Sequence, residues 1–336
     1  MSSIAEVRWR AWFAMLLLTQ AGMLSMPSAA QSLQDAAAYP TRPIRLVVPF
    51  PPGASPNDII GRLVGRQIAD NVGQQVIVDN RAGVGGILGS DIVAKANPDG
   101  YTVLINSTTF TMAPNVYRQV PYDVVRDFQP ITMVAQAPMM LMVNPSVPVK
   151  NVKEFLAYAR ARPDQLKFGS GGNGTVPHFS GEMLKSMARI QMTHVPYKGG
   201  APAVTALLGG EVNVYIDTPT ATLPFVQQGR LKALAVTTRQ RASFLPDLPT
   251  LDEAGVPGYE IRVWYGFYAP AKTPDPVVQK FYREVVKALE NADVKSRLAA
   301  IGTQPVTSPP REFQETVRSE VRKWAKLAKE VGIKPE

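Results

Sequence analysis

Apolar residues along this chain fall into two recurring patterns. Short runs rich in β-branched side chains alternate with stretches whose apolar positions return every three or four residues. Ile44-Arg45-Leu46-Val47-Val48 has the pattern of a buried strand, and Ile59, Ile60, Leu63, Val64 and Ile68 then follow helical spacing. Gln75-Val76-Ile77-Val78-Asp79 is the next predicted strand, residues 86–96 a helix and residues 101–105 a third strand. Such βαβαβ alternation predicts a parallel sheet with helices on both faces.

The pattern changes over residues 130–144. Two extended runs, Ile131-Thr132-Met133-Val134 and Met140-Leu141-Met142-Val143, flank Ala137-Pro138 and read as strands crossing between two lobes. A second alternation follows. It runs helix 152–160 (Asn151 as N-cap), strand 166–169, helix 178–187, strand 192–195, helix 202–208, strand 212–216, helix 223–228 and strand 231–237. Residues 259–268, rich in aromatic and β-branched side chains, read as the return crossing. Residues 276–290 and 312–329 close the chain as helices, the last with a core stripe of Phe313, Val317, Val321, Trp324 and Ala328. The expected fold is α/β with two lobes, each a mixed, mostly parallel sheet flanked by helices. Residues 39–139 and 265–336 form lobe 1 and residues 140–264 lobe 2, with hinge strands near 131–143 and 259–268. Two crossings make a hinge, and closure around a ligand is the motion such a build favours.

Composition narrows the picture. At 336 residues each lobe has room for its own core. The net charge of +9 suits anionic ligands, but the basic residues are scattered, without the clustered footprint of a nucleic-acid binder. The absence of Cys excludes disulfides, thiolate catalysis and Cys-ligated metal. Arg8 and Arg10, the short apolar stretch 11–18 and Ser28-Ala29-Ala30 predict a signal peptide over 1–30. Cleavage is expected within 30–38, Ala36-Ala37-Ala38 being a second candidate. The apolar stretch is too short to span a bilayer, so export to the periplasm as a monomer is expected.

Several strand-to-helix junctions share one design. Phe50-Pro51-Pro52-Gly53-Ala54-Ser55-Pro56-Asn57-Asp58 offers Ser55 as N-cap, Pro56 as first helical residue and Asp58 as the acid of a capping box. Gly169-Ser170-Gly171-Gly172-Asn173-Gly174-Thr175 leads through Val176-Pro177 to His178. Tyr197-Lys198-Gly199-Gly200 and Asp217-Thr218-Pro219 complete the set. Each lies at the carboxyl end of a predicted strand, where ligands of open α/β sheets sit. Glycines let backbone approach a ligand, and unpaired first-turn amides favour an anion. With no Arg in these loops and only Lys198 as a cation, recognition by amides and hydroxyls is expected. Proline and glycine at such turns are also plain folding chemistry; the repetition of the design is what points to a ligand.

Other signals lead less far. Gly83-Val84-Gly85-Gly86-Ile87-Leu88 is similar to a dinucleotide fingerprint but has Leu88 at the third glycine's place. Ser170 and His178 could pair for catalysis, yet no nucleophile-elbow motif and no orienting carboxylate accompany them. His194 reads as packed or hydrogen-bonded, and two histidines without an acidic cluster make no metal site, so no metal and no cofactor is expected. Trp264, Tyr265, Phe267 and Tyr268 read as core, with a cleft wall as the alternative.

The same loops carry a family likeness. Tyr39-Pro40-Thr41-Arg42-Pro43, Val47-Val48-Pro49-Phe50-Pro51-Pro52-Gly53, Asp79-Asn80-Arg81-Ala82-Gly83, Asn97-Pro98-Asp99-Gly100-Tyr101, Gly169-Ser170-Gly171-Gly172-Asn173-Gly174-Thr175 and His194-Val195-Pro196-Tyr197-Lys198-Gly199 occur in that order. In this the chain resembles the substrate-binding receptors of tripartite tricarboxylate transporters, the Bug family of periplasmic proteins. The resemblance implies a type II Venus-flytrap fold without catalysis. It implies a carboxylate gripped by positions 50–58 and 170–175, partly through water, with Ser107, Thr108 and Thr109 as further lining and Asp217 near the cleft. The first loop departs from the family pattern. Ala54 replaces a second glycine and Asp58 comes one position late, so ligand identity is not carried over. The expected function is capture of a small organic carboxylate (a di- or tricarboxylate, amino acid or aromatic acid) for a membrane transporter. An orphan ligand sensor, or a hydrolase using Ser170 and His178, are the alternatives. Genes for membrane subunits beside this one would separate transport from sensing.

Overall fold

The computed structural model describes residues 38–53, 55–242 and 244–335. The signal segment and Ala54 lie outside the described residues. Residues from Pro40 onward form one body.

Among the described residues the strands make two sheets, one per lobe. The first takes β1 (Ile44–Val48), β2 (Val76–Asn80), β3 (Thr102–Ser107), β4 (Phe128–Pro138), β10 (Arg262–Pro270) and the short β11 (Gln304–Pro305), in the order β11-β4-β10-β3-β1-β2. The second takes β5 (Met140–Val143), β6 (Lys167–Ser170), β7 (Thr193–Pro196), β8 (Val214–Asp217) and β9 (Lys232–Val236), in the order β7-β6-β8-β5-β9. β1 runs parallel to β2 and β3, and β6 parallel to β7 and β8. The strands next to the crossings pair antiparallel: β4 and β10 with each other, β10 with β3, and β5 with β8 and β9. The sheets are therefore mixed, with a smaller parallel share than the βα alternation alone predicts, because the crossing strands run against their neighbours.

The connecting helices start where the sequence places caps. Helix α1 (Pro56–Val72) has Ser55 accepting the Asp58 N–H, Pro56 in its first turn and Gly73 closing it at φ 70°. α2 (Ile87–Ala94) and α3 (Thr108–Met112) follow in lobe 1. α4 (Val152–Ala161), α5 (Val176–Ala188), α6 (Gly200–Gly209) and α7 (Leu223–Gln227) serve lobe 2. α8 (Asp275–Glu290), α9 (Ala292–Ala300) and α10 (Pro310–Val331) end the chain. Each lobe has its own core, one around Leu104, Phe110, Phe128 and Tyr268, the other around Met142, Leu207, Tyr215 and Val236.

Thr237 ties the two crossings together. Its buried hydroxyl accepts the Met139 N–H at 2.9 Å and donates to the Ile261 carbonyl at 2.7 Å. Helix α10 spans both lobes. Phe313 fills the space above Gly266, where a Cβ would come within 2.2 Å of its ring, and Trp324 meets Phe179 of α5 edge-on at 5.7 Å. The lobes also touch where Val116 of lobe 1 meets Gly174, and where Pro219 and Thr220 of lobe 2 meet Gly302 and Ile301.

Candidate functional site

The first loop is held from inside. Asp58 is 1% exposed and accepts Gly53 N at 2.7 Å, Asn80 Nδ2 at 2.8 Å and Arg62 Nε at 3.0 Å. Burial pushes its carboxyl up, but Arg62, the Gly53 amide and Asn80 together hold it below its usual value. Asn80 Nδ2 also donates to the Phe50 carbonyl at 2.9 Å. The capping box is thus modified: Ser55 caps as expected, while Asp58 reaches Gly53 rather than the Ser55 amide, so its carboxylate fastens the loop. Gly53 stands at φ 79° with open space beside it, and Pro52 and Gly53 are exposed. Asn57 is buried, and its Oδ1 receives no hydrogen bond among the described residues. Phe50 packs against Gly86 of the Gly-rich turn before α2.

Ser107 and Thr108 begin α3 at the end of β3. Thr108 is fully buried, and its hydroxyl oxygen accepts the Trp264 N–H at 3.0 Å, so it serves the return strand. Ser107 Oγ leans to Thr109 at 3.5 Å.

In lobe 2, Gly172 at φ 128° and Gly174 at φ 71° let the 170–175 loop turn sharply. Ser170 Oγ accepts the Gly172 N–H at 3.1 Å, and Thr175 Oγ1 donates to the Gly172 carbonyl at 2.8 Å. Thr175 therefore does not cap α5, which leaves that helix without a side-chain cap; α6, entered through Gly199, has none either. Backbone bonds from Tyr197 N to Ser170 O (2.9 Å) and Gly199 N to Gly171 O (3.1 Å) zip this loop to the next.

One expected pairing is corrected. Ser170 pairs with His194, not His178: its Oγ lies 2.7 Å from His194 Nε2, because β6 and β7 run in register and set Phe168 opposite His194. His178 instead accepts the Gly174 N–H on Nδ1 at 3.0 Å. Tyr197 contributes its amide; its phenol, raised by burial and by Glu211, leans to the far end of α6. Lys198 is exposed and forms no ion pair among the described residues. Asp217 accepts the Tyr215 hydroxyl at 2.6 Å and the Thr218 N–H at 2.7 Å. Burial raises its carboxyl, and its charge adds to burial in keeping the Tyr265 phenol protonated. His194 is packed and hydrogen-bonded as its setting in the sequence suggests, with Ser170 as the partner the sequence did not identify. Burial, then His178 and Lys185, lower its pKa to about 3.

Two mixed-sheet lobes joined by paired crossings define the periplasmic binding protein class. Rpa4515 of R. palustris, solved with adipate, superposes with TM-score 0.81 at 37% identity, covering 89% of this chain and 100% of that one. The periplasmic binding protein BugD gives TM-score 0.78 at 35% identity over 89% of this chain and 100% of that one. MatC of Rhodopseudomonas palustris, solved with malate, gives 0.75 at 31% identity over 86% and 99%. The model of the tripartite tricarboxylate transporter family receptor matches residues 60–333, and the chain belongs to that family of solute receptors, with Bug proteins among its relatives.

Proposed function

We propose that this protein is an exported receptor that captures a small organic carboxylate between the 50–58 and 170–175 loops and delivers it to a tripartite tricarboxylate-type membrane transporter. One observation carries the reading: loops with positive-φ glycines end parallel strands in both lobes, each braced by buried polar groups, and α5 presents first-turn amides without a side-chain cap. Such amides favour an anion. Adipate and malate in two relatives support the same ligand class. The orphan Asn57 Oδ1 suits a water or a ligand donor in lobe 1. Closure about the Thr237-tied crossings would bring the two loops onto one ligand.

A hydrolytic role finds less support. The Ser170–His194 contact has the spacing of a nucleophile and its base, but Ser170 is fully buried and His194 packs against another imidazole rather than a carboxylate.

The test is a thermal-shift screen of protein unfolded and refolded to strip carried-over ligand, against aliphatic, hydroxy, amino and aromatic acids. At one hundred times its dissociation constant a ligand adds about 2.7 kcal/mol by mass action. A shift from one or more acids, lost in Gly172→Val, supports the receptor. No shift from any acid with folded protein, or ester turnover lost in Ser170→Ala, overturns it.

A further inference from the structure

The chain has two histidines, and the fold brings them together although they are 16 positions apart. Their rings stack at 4.0 Å between centroids, inclined by 8°, and Phe168 stacks on the other face of His194 at 4.8 Å. Each imidazole holds one end of the same loop, His194 through Ser170 and His178 through the Gly174 amide. Both imidazoles help line an open cavity of about 570 Å³, together with Gly174, Glu182, Lys185, Arg118 and residues 331–335.

The hydrogen bonds fix the state of one ring, since Ser170 Oγ can either give its proton to the Gly172 carbonyl and accept from His194, or donate to His194. A backbone N–H can only donate, so His178 Nδ1 must carry no proton. A proton there would set donor against donor and release Gly174, which Val116 already presses from lobe 1. Burial resists a charge on His194, and an imidazolium in contact with it would resist that charge further. The surrounding charges are Lys185 paired with Glu182 on α5, Arg118 bonded to the Pro335 carbonyl, and Lys334 on the tail. Lys185 further disfavours a charged His194.

We propose that the stacked His178–His194 pair is the positioning element of the 170–175 loop, holding Ser170 and Gly174 in ligand-ready geometry, and that it does so for Gly174 only while His178 Nδ1 carries no proton. Neither ring need touch the ligand. The inference rests on the reading of 170–175 as a ligand loop, but its first test needs no ligand.

The experiment follows the two imidazoles and the Gly172 and Gly174 amides of the whole mature protein by ¹⁵N-detected NMR and hydrogen exchange. At neutral pH, His178 should be the Nε2–H tautomer. His178→Leu should speed Gly174 exchange by about tenfold or more, while His178→Asn, whose Oδ1 can take the place of Nδ1, should keep the protection. On acidification Gly174 should lose protection in step with the imidazoles in the wild type and stay protected in His178→Asn. An unchanged Gly174 amide in His178→Leu, or identical acid profiles for wild type and His178→Asn, would overturn the proposal. A second arm measures the affinity of adipate and malate in the same proteins. If the amides respond as expected and neither acid binds even the wild type, the carboxylate reading is in doubt while the positioning role stands.

Discussion

Replacing Asp58 with Asn tests whether the first loop is held from within. The carboxylate receives three donors, from Gly53, Asn80 and Arg62, at 2.7 to 3.0 Å, and is 1% exposed. An amide offers one acceptor oxygen in place of two and turns an NH₂ toward a donor, so at least one buried bond is broken. Charge-assisted bonds are worth about 1.5–3 kcal/mol each, and an orphaned buried donor adds its own cost, so a loss of about 2–4 kcal/mol is expected. For a chain of this size that lowers Tm by roughly 4–8 °C. The Arg62 partner is half exposed, so Arg62→Gln should cost under about 1 kcal/mol. The pH dependence separates charge from packing. The folded carboxyl lies below its usual 3.8, so its stabilisation is complete above that pH and is lost as pH falls through the lower folded value. Wild type and Asp58→Asn should therefore converge in acid. Differential scanning calorimetry across pH, with titration of a bound acid, is the assay. A variant melting within about 1 °C of wild type at neutral pH, with unchanged affinity, would refute the reasoning.

Other outcomes follow from the same contacts. Thr237→Val orphans the Met139 N–H and the Ile261 carbonyl at the crossings and should cost about 1–3 kcal/mol in chemical denaturation, with altered compaction on ligand addition by small-angle scattering. Gly181→Ala places a Cβ 2.2 Å from the Phe168 ring, which backs His194; a loss of about 1–3 kcal/mol and weaker ligand binding are expected by thermal melts and calorimetry. His194, lowered to about 3, stays neutral in the fold while the unfolded chain gains a proton below about 6.5. Stability should therefore fall as pH drops from 6.5 toward 3, by about 1 kcal/mol at pH 5 after allowance for partial exposure, and His194→Gln should flatten that slope.

Much of the frame is legible in the chain itself. β-branched runs mark the strands, Ser55 and Asn151 cap the helices they precede, and the aromatic run at 262–270 is the return strand. Helix α9 went unmarked because only Val294 and Leu298 of its residues are large, buried apolar positions, although Asn291, which caps it by accepting the Asp293 and Val294 amides, was a usable sign. The Ser170 partner was hidden for a different reason. Sequence distance favoured His178, eight residues away, whereas strand register decided for His194; reading β6 and β7 as adjacent parallel strands would have aligned them. Asp58 shows the same limit. Its spacing from Ser55 fits a capping box, but where the acid points depends on Asn80 and Arg62 closing around it, and only the assembled loop displays that.

The location of the ligand is tested most directly by a crystal structure of the refolded protein with the acid that gives the largest thermal shift. Expected is one carboxylate group enclosed by both loops, within hydrogen-bond distance of backbone amides in residues 50–58 and 170–175, with Asp58 and the histidine pair behind them. A ligand bound outside the cleft, or held by one lobe alone with the other loop turned away, would contradict it.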